Sequence, residues 1–149
     1  MKQILIATDG SPSAREAVEV GLELAKEQGA DVTFVHVTPP EEVRGGRGGA
    51  HALTHEEEVD ESETALKEAA DAADAAGVSY ALERFSGETV ETIVALAETK
   101  NADLIVLGCR GRNPIASALL GSVSQGVLRN ASRPVLVVKG AKAPAETTA

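Results

Sequence analysis

The sequence predicts one α/β domain, a doubly wound, five-stranded parallel sheet with four helices and strand order 3-2-1-4-5. Three observations predict it. Strand-like and helix-like hydrophobic periods alternate along the chain. Each crossover is long enough to return right-handed. A chain of 149 residues suits a single core.

The elements follow in order. Residues 4–8 are a short apolar run closed by Thr8, a buried strand. Ser11 then caps a helix with Pro12 at its first position, where a missing N–H costs nothing. Ala14, Ala17, Val18, Gly21, Leu22 and Ala25 recur at helical spacing, and Gly29 supplies the stop. Residues 32–37 are rich in β-branched side chains and read as the second strand. Residues 39–53 are irregular, with Pro39-Pro40 and four glycines between positions 45 and 49, and mobility is expected there.

Thr54 and Glu57 have capping-box spacing for a helix with Ala65, Leu66, Ala69, Ala73 and Ala76 on one face, ended by Gly77. Residues 78–85 alternate, with Val78, Tyr80 and Leu82 against Ser79, Ala81 and Glu83, as a sheet-edge strand does. A third helix turns Val90, Ile93, Val94 and Ala97 inward, and residues 103–107 form the fourth strand. Gly121 or Ser122 opens a fourth helix, with Val123, Val127, Leu128 and Ala131 expected to face inward. Residues 135–138 are the last strand. The domain thus spans residues 1–139, and the Ala-, Thr-, Pro- and Lys-containing segment 140–149 is expected to be a disordered tail.

Composition excludes several functions. With 14 basic and 23 acidic residues the net charge is -9, which repels a phosphate backbone. Two Phe, one Tyr and no Trp leave few platforms for stacking bases, so no nucleic-acid partner is expected. No apolar stretch approaches the roughly 20 residues needed to cross a bilayer, and no membrane partner is expected either. The first apolar run is too short for a signal sequence. The single cysteine, Cys109, makes no internal disulfide and suits a reducing compartment, so a cytoplasmic location is expected.

In a doubly wound sheet, ligands sit beyond the carboxyl ends of the strands where the strand order reverses. Asp9-Gly10-Ser11 follows the first strand and Gly108-Cys109-Arg110-Gly111 follows the fourth, so the two loops would face one crevice. The second continues to Gly121-Ser122-Val123-Ser124, giving the form G-x2-G-x9-G-S. Glycines let a backbone approach phosphate oxygens closely, N–H groups at a helix start attract anions, and Ser122 and Ser124 add hydroxyl donors. This is neither a Walker A loop, which needs Gly-Lys-Ser/Thr, nor a dinucleotide fingerprint, since the first turn has only Gly10. Taken singly, these features have plainer readings. Gly121-Ser122 with Gln125 has the spacing of a capping box, and Asp9 reads as a turn residue or cap.

The spaced glycines, the opening Ile4-Leu5-Ile6-Ala7-Thr8-Asp9-Gly10-Ser11, His36-Val37 and Arg133-Pro134-Val135-Leu136-Val137-Val138 together resemble the universal stress protein family, in its ATP-binding branch. The resemblance covers residues 2–139 and implies a site. By it, Asp9 and the backbone of Val37 hold the adenine or ribose side. Gly108, Arg110, Gly111, Gly121, Ser122 and Val123 hold ribose and phosphates, and Ala7 and Ser124 line the pocket. Cys109 departs from the family's frequent Ser or Thr and puts a hydroxyl contact there in doubt.

His51 and His55 stand at helical i,i+4 spacing, but no third metal ligand is evident. Glu56 and the acidic residues after it read as a solvated helix face, and Cys109 as an inert thiol. No general base, nucleophile or carboxylate cluster accompanies the loop, so no catalytic residue is assigned. The expectation is an ATP-binding regulator or sensor. A divalent ion, Mg²⁺ or Mn²⁺, would bridge the phosphates beside Asp9, and any hydrolysis or autophosphorylation would be slow. Two alternatives stay open, an interaction module that binds no nucleotide and a slow Mg²⁺-dependent ATPase or phosphotransferase. Finally, residues 135–138 make an uncovered apolar sheet edge, which invites pairing with a second copy about a two-fold axis. The resemblance likewise implies a homodimer.

Overall fold

The computed structural model describes residues 1–40, 55–110 and 120–139. Its elements are β1 (Gln3–Ala7), α1 (Pro12–Gln28), β2 (Asp31–Thr38), α2 (His55–Ala76), β3 (Tyr80–Ser86), α3 (Thr89–Thr99), β4 (Leu104–Gly108), α4 (Ser122–Asn130) and β5 (Val135–Val138). The strands form one parallel sheet, as the alternation of periods predicts, and their order is the expected β3-β2-β1-β4-β5. The sheet runs leftward from β1 through β2 to β3 and rightward through β4 to β5, so its order reverses between β1 and β4.

Period-2 alternation splits the core into two layers. Ile4, Ile6, Val32, Phe34 and Val106 pack with α1 and α2 through Val18, Leu22 and Leu66. Leu5, Val35, Ile105 and Leu107 pack on the other face with Ile93 and Leu96 of α3 and Val127 of α4. Central strands covered on both faces read as continuous apolar runs, which is why β1 and β4 show no alternation in sequence.

The helix boundaries follow their caps. Ser11 is the N-cap of α1, its side chain accepting from the Ala14 N–H, and Pro12 follows at the first helical position. Gly29 ends α1 in the left-handed region at φ 66°, and Gly77, at φ 71°, follows α2. Thr54, the residues after Pro40 and the expected tail at 140–149 lie outside the described residues.

Two expectations are corrected. β3 starts at Tyr80 rather than at residue 78, and Leu82 is 44% exposed, because an edge strand has a neighbour on one side only. Leu128 is 45% exposed rather than inward, whereas Ala131, the C-cap beyond α4, is half-buried and packs on the core as expected. The short α4 packs on α3 and β5 through one narrow stripe, Val123, Ser124 and Val127, and Leu128 stands outside that stripe.

Candidate functional site

The register sets the starts of both candidate loops side by side. Ile6 pairs with Val106, so β1 and β4 end level, and Gly108 lies beside Val138 of β5. The Asp9 turn is shaped by short-range bonds. Ser11 N–H donates to Asp9 Oδ1 at 2.9 Å, Gly10 N–H donates to Thr8 Oγ1 at 3.2 Å, and Gly10 takes φ 78°. The Asp9 carboxylate, half-buried, therefore bends over the start of α1 as its sequence position suggests. The end of β1 is anchored from β2: Thr8 N–H donates to the Val35 carbonyl, and buried His36 sets Nδ1 3.0 Å from the Thr8 carbonyl. A carbonyl only accepts, so Nδ1 carries the hydrogen.

The β4 end is held by three elements at once. Ser124 Oγ donates to the Gly108 carbonyl at 2.7 Å, and Gly121 N–H donates to the Cys109 carbonyl at 2.6 Å. These two bonds bolt the start of α4 to the end of β4. Cys109 N–H continues the ladder to the Val138 carbonyl. Arg110 N–H donates to Ser13 Oγ of α1 at 3.3 Å.

The two described glycines of the motif differ in what they serve. A Cβ on Gly108 would lie 2.6 Å from Ser13 Oγ and 2.7 Å from the Ser13 carbonyl carbon, so this glycine makes room for α1. Gly121 takes φ -71° and ψ 165°, open to any residue, and acts as the N-cap of α4 without a side-chain bond. The expected capping box does not form, since Gln125 turns its amide to the Leu120 carbonyl at 2.9 Å. A helix start leaves its first N–H groups without intrahelical partners. Ser11 caps α1 and Glu88 caps α3 through their side chains, whereas among the described residues no side chain caps α4.

On the α3–α4 face, Ala7, Val37, Val90 and Val123 are half-buried and pack on the same apolar cluster, next to the α4 start. Of the sequence-predicted residues, the structure thus gathers Ala7, Asp9, Gly108, Arg110, Gly121, Ser122, Val123 and Ser124 around the β1 and β4 ends, with Val37 at the end of neighbouring β2. Ser122 is exposed, while Ser124 is buried and spends its hydroxyl on Gly108. Gly111, His51 and the side chain of His55 lie outside the described residues. Among the described residues no three His, Cys, Asp or Glu side chains gather as a metal cage. No described helix is long and apolar enough to cross a membrane.

Sequence reasoning missed Ser13 and the bonding role of His36. Ser13 stands between Pro12 and Ala14 with no motif to mark it, and its contacts with residues 109 and 110 are visible only once the chain is folded.

The family model described as the universal stress protein family matches residues 1–139. A universal stress protein of Methanocaldococcus jannaschii is 39% identical over 142 residues, covering 95% of this chain and 84% of its own. Among solved structures, a universal stress protein in complex with cAMP superposes with TM-score 0.72 at 31% identity, covering 94% of this chain and 98% of that one. The universal stress protein from Archaeoglobus fulgidus in complex with dAMP gives TM-score 0.71 at 25% identity, covering 93% and 98%.

Proposed function

The chain belongs to the universal stress protein family, and on that premise we propose that it is a cytoplasmic regulator that binds an adenine nucleotide, ATP foremost, at the β1–β4 crevice. The observation that carries this is the start of α4, which no described side chain caps, at the end of β4 next to β1 and its Asp9 turn. Backbone N–H groups with no side-chain cap form a receptor for an anion, and the helix dipole adds to it. Ala7, Val37 and Val123 supply an apolar wall for a base, and the Asp9 carboxylate an acceptor for its amine or for a ribose hydroxyl. Arg110 and the backbone N–H groups of Gly111, Ser122 and Val123 would complete the phosphate side, with Gly108 and Gly121 allowing close approach and Ser124 holding the start of α4 to the end of β4. Mg²⁺ or Mn²⁺ would enter with the phosphates, since such ions commonly take one or two carboxylates plus phosphate oxygens. Related proteins solved with cAMP and with dAMP support an adenine ligand.

Native mass spectrometry of the purified protein, followed by calorimetry with ATP and Mg²⁺, tests the reading. Micromolar affinity, about -8 kcal/mol, is expected for a backbone cradle with few fixed cations. Silence at millimolar ATP, with no co-purified nucleotide, would leave a module that acts through protein contacts alone.

The same reading includes a homodimer through Val135–Val138. The two edges of the sheet differ. β3 carries Glu83 and Arg84, paired with Lys100 and Glu63, whereas β5 has four aliphatic residues and no charge. The carbonyls of Pro134 and Val138 turn toward β4, so by alternation the peptide groups of Val135 and Val137 turn outward. Val137→Pro therefore removes an outward donor while sparing the internal ladder, and light scattering across a dilution series should show the variant shifted to monomer. A mass of 15.3 kDa for the unmutated protein at high concentration ends the dimer proposal.

A further inference from the structure

Ser13 and Cys109 lie outside the set of ligand contacts, yet they meet where three elements converge. Ser13 Oγ is 3.3 Å from the Arg110 backbone N and 3.6 Å from Cys109 Sγ, and Cys109 Sγ is 3.2 Å from the Lys139 carbonyl. The direction of these bonds is fixed at both ends. A backbone N–H only donates, so Ser13 Oγ accepts from Arg110 and directs its own hydrogen to sulfur. A carbonyl only accepts, so the thiol hydrogen goes to Lys139. The result is a one-way chain, N–H to O–H to S–H to O=C, running from the glycine loop through the first turn of α1 to the residue after β5. It needs at its middle a group that both accepts and donates, which a thiol or hydroxyl is and a methyl is not. Cys109 is buried, and Gly108 next to it has no Cβ because Ser13 occupies that space.

We infer that Ser13, with Cys109, is a positioning residue that fixes the direction in which the glycine loop leaves β4 and so sets the affinity for the phosphate-bearing part of the nucleotide. This rests on the proposed function for its second half only. The Arg110 amide is spent on Ser13 and is not itself a phosphate donor. What the bond supplies is preorganisation: an Arg110 backbone already held against α1 loses less freedom when a polyphosphate binds. The adenine wall of Ala7, Val37 and Val123 lies on the opposite face of the sheet from α1, so removing the bond should leave the base and ribose contribution in place.

Two measurements on the full chain test it. Backbone amide exchange of the nucleotide-free protein, followed by NMR, should show the Arg110 amide exchanging about tenfold faster in Ser13→Ala while the core strands stay protected, as expected for loss of one hydrogen bond. The ratio of ATP affinity to adenosine affinity should fall about tenfold in Ser13→Ala and recover in Ser13→Thr. Cys109→Ala should follow Ser13→Ala and Cys109→Ser should follow the unmutated protein, which keeps the test open if Ser13→Ala folds poorly. Unchanged exchange at Arg110 overturns the latch, and equal weakening of ATP and adenosine overturns its bearing on phosphate. If the unmutated protein binds neither ligand, the proposed function and the phosphate half fall together, while the exchange result still decides the latch.

Discussion

α1 and α4 both begin at the carboxyl ends of central strands, one after β1 and one beyond β4, but their first turns are finished differently. At α1 the chain closes its own polar groups. Asp9 accepts from Ser11, Ser11 accepts from Ala14, and Thr8 accepts from Gly10. At α4 the N-cap is a glycine, and the Gln125 side chain goes to the Leu120 carbonyl. The first start is capped by its own side chains, and at the second no described side chain does this. A turn capped by its own side chains has closed its donors, and one without such a cap can receive an anion.

The sharpest way to break this comparison is to give the α4 start a side chain. Gly121 needs no special backbone angle, so Gly121→Val should stay folded, losing no more than a poor N-cap costs, about 1 kcal/mol, while ATP affinity falls at least about 100-fold, or about 2.7 kcal/mol. A folded variant with normal affinity in calorimetry would show that the uncapped turn is not the phosphate receptor.

Next in size is the reverse case. Gly108→Ala forces a methyl against the α1 backbone and should destabilise by about 1–3 kcal/mol in urea unfolding, whether or not ATP is added. Stability equal to that of the unmutated protein would mean that α1 yields easily there, and the contrast between the two glycines would lapse.

Ser11→Ala removes the cap that makes α1 self-sufficient and should cost about 1 kcal/mol of stability. ATP affinity should change less than in Gly121→Val. The opposite ranking in paired calorimetry and unfolding experiments would move the receptor from α4 to α1.

The smallest effect lies at the other end of the sheet, where Arg133 and Ser132 bond Glu98. The Arg133 hydrogen bond, followed by that from Ser132, lowers the Glu98 carboxyl from 4.5 to about 2. The folded-state value is depressed, so this contribution is present above the unfolded value and is lost as pH falls from 4.5 through about 2. Glu98→Gln should flatten that part of the melting-temperature profile and leave ATP binding at neutral pH unchanged. An altered affinity would mean that the two ends of the sheet are coupled.

How much was legible in the sequence follows the same division. The fold was legible because its signals are local: Ser11-Pro12 to start α1, Gly29 to stop it, and uninterrupted apolar runs for the two central strands. The site was legible in position, since the switch-point rule needs only strand order. Its internal assignments were not. Ser124 and Gly108 share a motif and a spacing, but only the fold reveals that one bonds the other and that the missing Cβ serves α1. Leu128 misled because helical periodicity marks a face without saying whether a neighbour stands opposite it.

The crowding of Gly108 against α1 bears on how descent is to be read in this fold. A lineage that abandoned nucleotides would remain bound to glycine at 108, because its helix would have nowhere else to go, yet it would be free to drift at 121. The first glycine of the motif is thus a record of architecture, and the third is the one whose loss would mark a change of trade.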